Sequence, residues 1–196
     1  KMNGLGNDFV VVDQTVNKIL HPQKLAAVIS DRTYGIGCDQ MILLEPSSNA
    51  DTRMSIYNRD GSKSNMCGNA LRCVAKYLME KSNVTNVGIE INGQIFPAKK
   101  DGNLIAVNIG KPKFNWDQIP IATKMDTLRM NYQHENFSSP SAVNVGNPHI
   151  IFFTNQKLED IQVKSMGPKI EKDPLFTEGI NVTFANVVDN NTFKLR

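Results

Sequence analysis

Hydrophobic residues recur at helical spacing in the stretch that follows Cys67. Leu71, Val74 and Leu78 fall on one helix face, while charged and polar residues occupy much of the opposite face. The pattern predicts a helix that begins directly after Cys67 and ends near residues 82–83.

Shorter apolar runs separated by turn signals predict strands over most of the remaining chain. Asn92-Gly93 is typical of a tight hairpin turn. Two further helices are predicted at 22–32 and 157–164. The predicted strands cover 9–12, 41–44, 54–57, 87–91, 94–98, 104–109, 142–145, 150–153, 180–188 and 192–195. Strands mixed with helices and hairpins indicate an α+β architecture in two lobes, and the proline-containing segment 111–120 indicates the boundary.

Composition narrows the possible partners. The chain has 196 residues, 40% of them hydrophobic, and a net charge of +3. The basic residues are scattered without aromatic interleaving, so we expect no nucleic-acid partner. No apolar run is long enough to span a bilayer, and residues 1–8 lack the form of a signal peptide. Three cysteines without Cys-x-x-Cys spacing favour reduced thiols and a cytoplasmic location.

Cys67 carries the strongest chemical signal in the sequence. A helix N-terminus presents free N–H groups and favours negative charge, so it binds a carboxylate and is expected to lower the thiol pKa from about 8.5 toward neutrality. A thiolate beside a bound carboxylate suits proton transfer at the carbon that carries it. The alternative is a cysteine that only fills space, an interpretation that fits Cys73 well and that we also adopt for Cys38.

Amide side chains stand where predicted strands meet glycine-rich turns. An amide both donates and accepts hydrogen bonds and therefore suits a zwitterionic ligand, although most asparagines in turns are structural. A lone histidine such as His149 is also more often structural. The candidates are Asn7, Gln40, Asn58, Asn69, Asn147 and Asn181. Neither a metal-ligand set nor a complete nucleotide-binding fingerprint is present, so no metal and no nucleotide is expected.

Six segments together resemble one known family, diaminopimelate epimerase. They occur in the family's order and span nearly the whole chain. They are Lys1–Phe9, Gly35–Gln40, Tyr57–Ser62, Cys67–Asn69 with Arg72-Cys73, Gly146–His149 and Gly179–Val182.

The resemblance implies a cofactor-independent isomerase that interconverts LL- and meso-2,6-diaminopimelate, on the route to lysine and peptidoglycan. It implies two similar α/β lobes, each a strand layer wrapped around a central helix, with residues 1–112 and 113–196 as the lobes here. It also implies a cytoplasmic homodimer that acts on a small molecule. Cys67 matches a catalytic cysteine, and His149 a residue thought to tune the cysteine pair. Substrate-contacting positions match Asn7, Gln40, Asn58, Gly68, Asn69, Asn147 and Asn181.

One feature of the family is missing from the sequence. The family carries a second catalytic cysteine in an Ala-Cys-Gly-Ser-Gly-like motif, preceded by a Glu-Arg pair that contacts substrate. The sequence stops at Arg196 before either motif. We therefore expect a second lobe that is incomplete in this chain, and 196 residues that do not epimerise alone.

Two alternatives stay open at this point. The first is another two-cysteine racemase of similar fold, such as one that acts on proline. The second is a non-catalytic fragment that binds amino diacids without turnover.

Overall fold

A computed structural model describes residues 1–14 and 18–196. The chain divides into two compact units, Lys1–Gly110 and Lys111–Arg196. Each unit contains strands and at least one α-helix, so the fold is α+β.

The first unit contains eight strands and two helices among its described residues. Its elements are β1 (Met2–Gly4), β2 (Asn7–Asp13), α1 (Pro22–Ser30), β3 (Gln40–Glu45), β4 (Thr52–Asn58), β5 (Lys63–Ser64), α2 (Gly68–Ser82), β6 (Asn86–Ile91), β7 (Gln94–Asp101) and β8 (Leu104–Val107). The strands form one sheet in the order β1-β2-β3-β4-β6-β7-β8, with β5 paired to β4.

Helix α2 lies at the centre of this unit because the sheet surrounds its apolar face. Leu71 and Val74 of α2 are fully buried and share one core cluster with Phe9, Ile42 and Ile56. The contacts of α2 extend to β1, β2, β6, β7 and β8. A strand layer therefore wraps around this helix.

Strand β3 is covered on both faces, which explains its uninterrupted apolar sequence. Ile42 and Leu44 belong to the α2 cluster, whereas Met41 and Leu43 pack with Ala26 of α1. Alternate residues of a strand point to opposite faces, so both sets are buried.

The second unit contains the remaining described elements. They are β9 (Gln133–His134), β10 (Phe137–Ser138), β11 (Ser141–Asn144), β12 (Pro148–Phe153), α3 (Val163–Glu171), β13 (Asn181–Asp189) and β14 (Thr192–Leu195), with 3-10 helices at Trp116–Gln118 and Leu158–Asp160. A four-stranded sheet runs β11-β12-β13-β14. Its core includes the stacked rings of Phe152 and Phe184, 5.4 Å between centroids.

The two units repeat one local topology. In the first, β1 and β2 are antiparallel, α1 leads to β3 parallel to β2, and β4 returns antiparallel. In the second, β11, β12, α3, β13 and β14 follow the same sequence of pairings. This repetition agrees with two lobes of related architecture.

The predicted helix at 157–164 is wrong in position. Leu158–Asp160 form only a 3-10 turn, and α3 covers Val163–Glu171. Helix α3 contains Gly167 and Pro168, two residues that disfavour helix, yet Met166 and Ile170 are both buried four residues apart. Burial of this apolar stripe outweighs the cost of proline in the helix. None of the helices in the described ranges is long and apolar enough to cross a bilayer.

Candidate functional site

Cys67 immediately precedes α2, as its sequence pattern predicts. Its backbone is extended (φ −149°, ψ 101°), and Gly68 is the first helical residue. Among residues 1–14 and 18–196, no side-chain hydrogen bond caps this helix end. The first N–H groups of α2 therefore remain available to a ligand or to the Cys67 sulfur.

The expectation of a lowered Cys67 pKa is wrong for the protein without ligand. Burial raises the pKa of this thiol above its ordinary value. Backbone N–H groups of Ala70 and Asn69 and the charge of Arg72 act in the opposite direction, but they do not outweigh the loss of water. Cys67 is consequently a neutral thiol near pH 7.

The other two cysteines fit the space-filling interpretation. Cys38 is fully buried, and its sulfur lies 3.3 Å from the hydroxyl of Ser30. Cys73 lies in α2 and is buried in the core of the first unit, and burial raises the pKa of its thiol. All three cysteines are free thiols.

Asn69 and Asn7 are joined across 62 residues of sequence. The Asn69 side-chain amide donates to Oδ1 of Asn7 at 2.7 Å. Asn7 in turn donates to Oδ2 of Asp39 at 3.4 Å, and Arg72 donates to Oδ1 of Asn69. The beginning of β2 is thereby connected to the first turn of α2, beside Cys67.

Gly4 makes this approach possible. A Cβ atom added at Gly4 would lie 3.2 Å from both the carbonyl oxygen of Asn69 and the sulfur of Cys73. Strand β1 therefore packs directly against the beginning of α2, at a distance that a larger residue would disturb.

Gln40 and Asn58 form a second pair of candidate residues. They are register partners in β3 and β4, and Nε2 of Gln40 donates to Oδ1 of Asn58 at 2.9 Å. Asn58 donates to the Ser62 hydroxyl at 3.0 Å, which donates to Asp60 at 2.6 Å. Asp60 therefore anchors the pair through Ser62.

An ion-pair cluster stabilises the beginning of β2, next to Asn7. Arg32 donates to both carboxylate oxygens of Asp8, at 2.8 and 3.0 Å, and to Asp39 at 2.8 Å. The Arg32 guanidinium holds the pKa of Asp8 well below its usual range. Asp8 and Asp39 also accept each other's backbone N–H, at 2.9 and 3.1 Å.

The remaining candidates meet within the second unit. His149 in β12 is the register partner of Asn181 in β13. Its Nε2 lies 3.0 Å from Oδ1 of Asn147, and Asn181 donates to the carbonyl of Pro148 at 2.9 Å. Burial lowers the pKa of His149, so the ring is neutral near pH 7.

Four further residues support these candidates although their sequence positions suggested no role. Asp39, Ser62 and Arg72 hydrogen-bond to candidate residues, and Asp60 acts through Ser62. All four lie inside the sequence segments that carry the family resemblance, so they could have been considered as site residues from the sequence. Two local signals pointed to them. Arg72 follows Asn69 at i+3 on a helix, and Asp60-Gly61 forms a turn in which Asp60 binds Ser62.

Comparisons with known proteins agree on one family. The family model described as diaminopimelate epimerase matches residues 1–115. The chain is 43% identical over 196 residues to the diaminopimelate epimerase of Sphingopyxis alaskensis, covering all of this chain and 71% of that protein. It is 44% identical to the diaminopimelate epimerase of Rhizorhabdus wittichii, covering 100% and 70%.

Solved structures share the fold at low sequence identity. A phenazine biosynthesis protein of the PhzF family from Bacillus anthracis matches with TM-score 0.62 and 16% identity, over 100% of this chain and 68% of that one. A hydroxyproline epimerase from Agrobacterium vitis, with bound trans-4-hydroxy-L-proline, matches with TM-score 0.60 and 14% identity, over 98% and 67%.

Proposed function

The chain belongs to the diaminopimelate epimerase family and is an isomerase, and from this premise we propose that it interconverts LL- and meso-2,6-diaminopimelate. The observation that carries this proposal is identity above 40%, over the whole chain, to relatives named diaminopimelate epimerase. The proposed role is the supply of precursors for lysine and peptidoglycan, by a cytoplasmic homodimer.

The reaction is an inversion at one α-carbon. A base takes the α-hydrogen from one face, the electron pair left on carbon delocalises into the carboxylate, and an acid returns a proton to the opposite face. In the substrate one C–H bond breaks and one C–H bond forms, while the base gains a proton and the acid loses one. The proton balance needs no cofactor, and we propose that none is used.

Cys67 is the proposed acid/base on one face. Its position ahead of α2 puts helix N–H groups beside the sulfur, where they stabilise charge that develops on the substrate carboxylate. The neutral thiol can donate a proton directly. To act as the base, it must first lose its own proton to the second acid/base group or to solvent.

A second cysteine is the proposed acid/base on the opposite face. Cys38 and Cys73 are buried and do not suit this role. We assign it to the second cysteine motif that the family resemblance implies. His149, whose ring is neutral near pH 7, is proposed to adjust the pKa values of the cysteine pair.

The proposed substrate contacts are the amide and glycine positions described above. Gly68 permits close approach of a ligand to the start of α2, since within the described chain a Cβ there would meet only the Arg72 side chain, at 4.0 Å. The amides provide donors and acceptors for the carboxylate and ammonium groups. These positions are Asn7, Gln40, Asn58, Gly68, Asn69, Asn147 and Asn181.

Deuterium uptake at the α-carbon tests the function. The product of the complete gene is incubated in D₂O with LL-diaminopimelate, meso-diaminopimelate or proline, and loss of the α-proton signal is followed by NMR. Uptake with both diaminopimelate isomers and not with proline is expected. Uptake with proline alone would favour the proline-type racemase, and calorimetric binding of diaminopimelate without any exchange would favour a binding protein.

A further inference from the structure

The amides near Cys67 and at the end of β3 stand in two hydrogen-bonded chains. We call the first the Asn7 relay: Arg72, Asn69, Asn7 and Asp39. We call the second the Gln40 relay: Gln40, Asn58, Ser62 and Asp60. Each relay ends in a charged group that can play only one hydrogen-bonding role. A guanidinium only donates, and an ionised carboxylate only accepts.

In the Asn7 relay, the two ends fix the direction of every bond. Arg72 donates to Oδ1 of Asn69, Asn69 donates to Asn7 at 2.7 Å, and Asn7 donates to Asp39 at 3.4 Å. Turning either amide over would place oxygen against oxygen or N–H against N–H. Both amide oxygens are therefore engaged, and each amide has one N–H left without a partner in the described chain.

In the Gln40 relay, the directions of the hydrogen bonds leave an acceptor, rather than a donor, without a partner in the described chain. Asp60 accepts the Ser62 hydroxyl hydrogen at 2.6 Å, so the hydroxyl oxygen must accept from Asn58, at 3.0 Å. This turns Oδ1 of Asn58 toward Gln40, whose Nε2 donates at 2.9 Å. Oε1 of Gln40 then has no partner among residues 1–14 and 18–196.

We propose that Arg72 and Asp39, and separately Ser62 and Asp60, are positioning residues that set the hydrogen-bond polarity of four site amides. The Asn7 relay presents donors and is assigned to a carboxylate. The Gln40 relay presents a carbonyl acceptor and is assigned to an ammonium group. This assignment deepens the proposed function and rests on it, but the polarity itself does not depend on any substrate.

Two pairs of variants separate the relays. Arg72→Leu removes the terminal hydrogen-bond donor of the Asn7 relay, whereas Arg72→Lys retains a charged donor. Ser62→Ala removes the link to Asp60, whereas Ser62→Thr keeps the hydroxyl. Arg53→Lys is the control, because Arg53 pairs with Glu90 in the same unit and contacts neither relay. Thermal unfolding of each variant checks that the fold is retained.

The direct readout is the side-chain amide spectrum of ¹⁵N-labelled protein without ligand. Arg72→Leu is expected to shift or broaden the Asn7 and Asn69 signals and to leave those of Gln40 and Asn58 unchanged. Ser62→Ala is expected to do the reverse. The inference is overturned if each variant leaves its own pair unchanged, or if both variants disturb all four signals equally.

The kinetic readout distinguishes positioning from general stability. A lost or misdirected hydrogen bond to a charged ligand group is expected to raise KM for LL-diaminopimelate about 10-fold or more, with kcat within about 3-fold. The Lys and Thr variants are expected to recover most of the affinity. Loss of kcat alone, or failure of both conservative variants to recover affinity, would contradict the positioning role.

The two proposals fail in different ways. If the wild-type protein does not exchange the α-hydrogen of diaminopimelate but the amide spectra respond as expected, the proposed function is wrong and the relays stand. Pimelate, the same diacid without its two amines, is a ligand-binding probe for that case. Its binding is expected to weaken with Arg72→Leu and not with Ser62→Ala, and the opposite pattern would contradict the carboxylate assignment.

Discussion

The backbone N–H of Leu71 donates to the carbonyl oxygen of Cys67 at 3.0 Å. This bond closes the first turn of α2, and the Leu71 side chain is fully buried in the core of the first unit. The candidate catalytic cysteine is thus held one helical turn from the centre of the hydrophobic core, which limits the positions that its sulfur can take.

Shortening Leu71 tests how strongly the core supports this helix. Leu71→Ala is expected to lower the free energy of unfolding by about 2–5 kcal/mol, because it removes buried methyl groups and leaves a cavity. Denaturant unfolding followed by circular dichroism measures the change. Leu104→Ala is the control: Leu104 is 73% exposed, so a loss below about 0.5 kcal/mol is expected. Equal losses for the two variants would argue against the packing of α2 described here.

Removal of the Cys67 sulfur is expected to abolish most of the exchange. A positioned acid or base is worth about 10² to 10⁴ in rate, so Cys67→Ala in the complete gene product should slow α-deuterium uptake from diaminopimelate by that factor. Cys73→Ala is the matched control because Cys73 lies in the core on α2, the helix that follows Cys67, and this variant should retain the wild-type rate constant. Retention of exchange by Cys67→Ala would contradict the catalytic assignment.

The reactivity of Cys67 should depend on pH in a defined direction. Burial raises the pKa of this thiol above its ordinary value, so more alkaline conditions are needed to form the reactive thiolate than for an exposed cysteine. The rate at which iodoacetamide alkylates the ligand-free protein is therefore expected to reach its half-maximum at a higher pH than the rate for an unstructured cysteine peptide measured alongside. Mass spectrometry identifies the modified cysteine. A midpoint near neutrality would mean that the helix N-terminus outweighs the loss of water.

The Asp8–Arg32 ion pair should contribute to stability in a pH-dependent way. The pKa of Asp8 is lowered in the folded protein from 3.8, chiefly by the Arg32 guanidinium. As the pH falls, the unfolded chain therefore takes up this proton first. The contribution is complete above about pH 3.8 and is lost as the pH falls through the lower, folded-state pKa.

Asp8→Asn is expected to flatten the decline of the melting temperature with falling pH in this acidic range. Asp101→Asn is the control, since the side chain of Asp101 makes no ion pair in the described part of the chain. Calorimetric scans between about pH 2 and 5 compare the slopes. Identical slopes for wild type and Asp8→Asn would contradict the coupling.

Local pattern was enough to predict most elements of the fold. Helix α2 has a continuous apolar stripe and ends at Ser82, where Asn83 adopts the left-handed conformation that suits a helix end. Helix α3 could not be located from the sequence, because Gly167-Pro168 is a strong local stop signal and the burial that overrides it involves residues distant in sequence.

The candidate site was predictable in its residue types and not in its contacts. Family motifs identified Cys67, Asn7 and Asn69, but only the fold brings Asn7 and Asn69 to 2.7 Å. The pKa of Cys67 could not be read from its position ahead of a helix. Its direction depends on how much water the surrounding core excludes, and no local sequence signal reports that.

Gly4 places an evolutionary restriction on the chain at a point far from Cys67 in sequence. Any mutation that adds a side chain there pushes on the carbonyl of Asn69 and the sulfur of Cys73, both in the first turns of α2. Selection on the chemistry at residue 67 should therefore also act on residue 4. We expect few amino-acid substitutions to accumulate at this position, even though Gly4 itself takes no part in proton transfer.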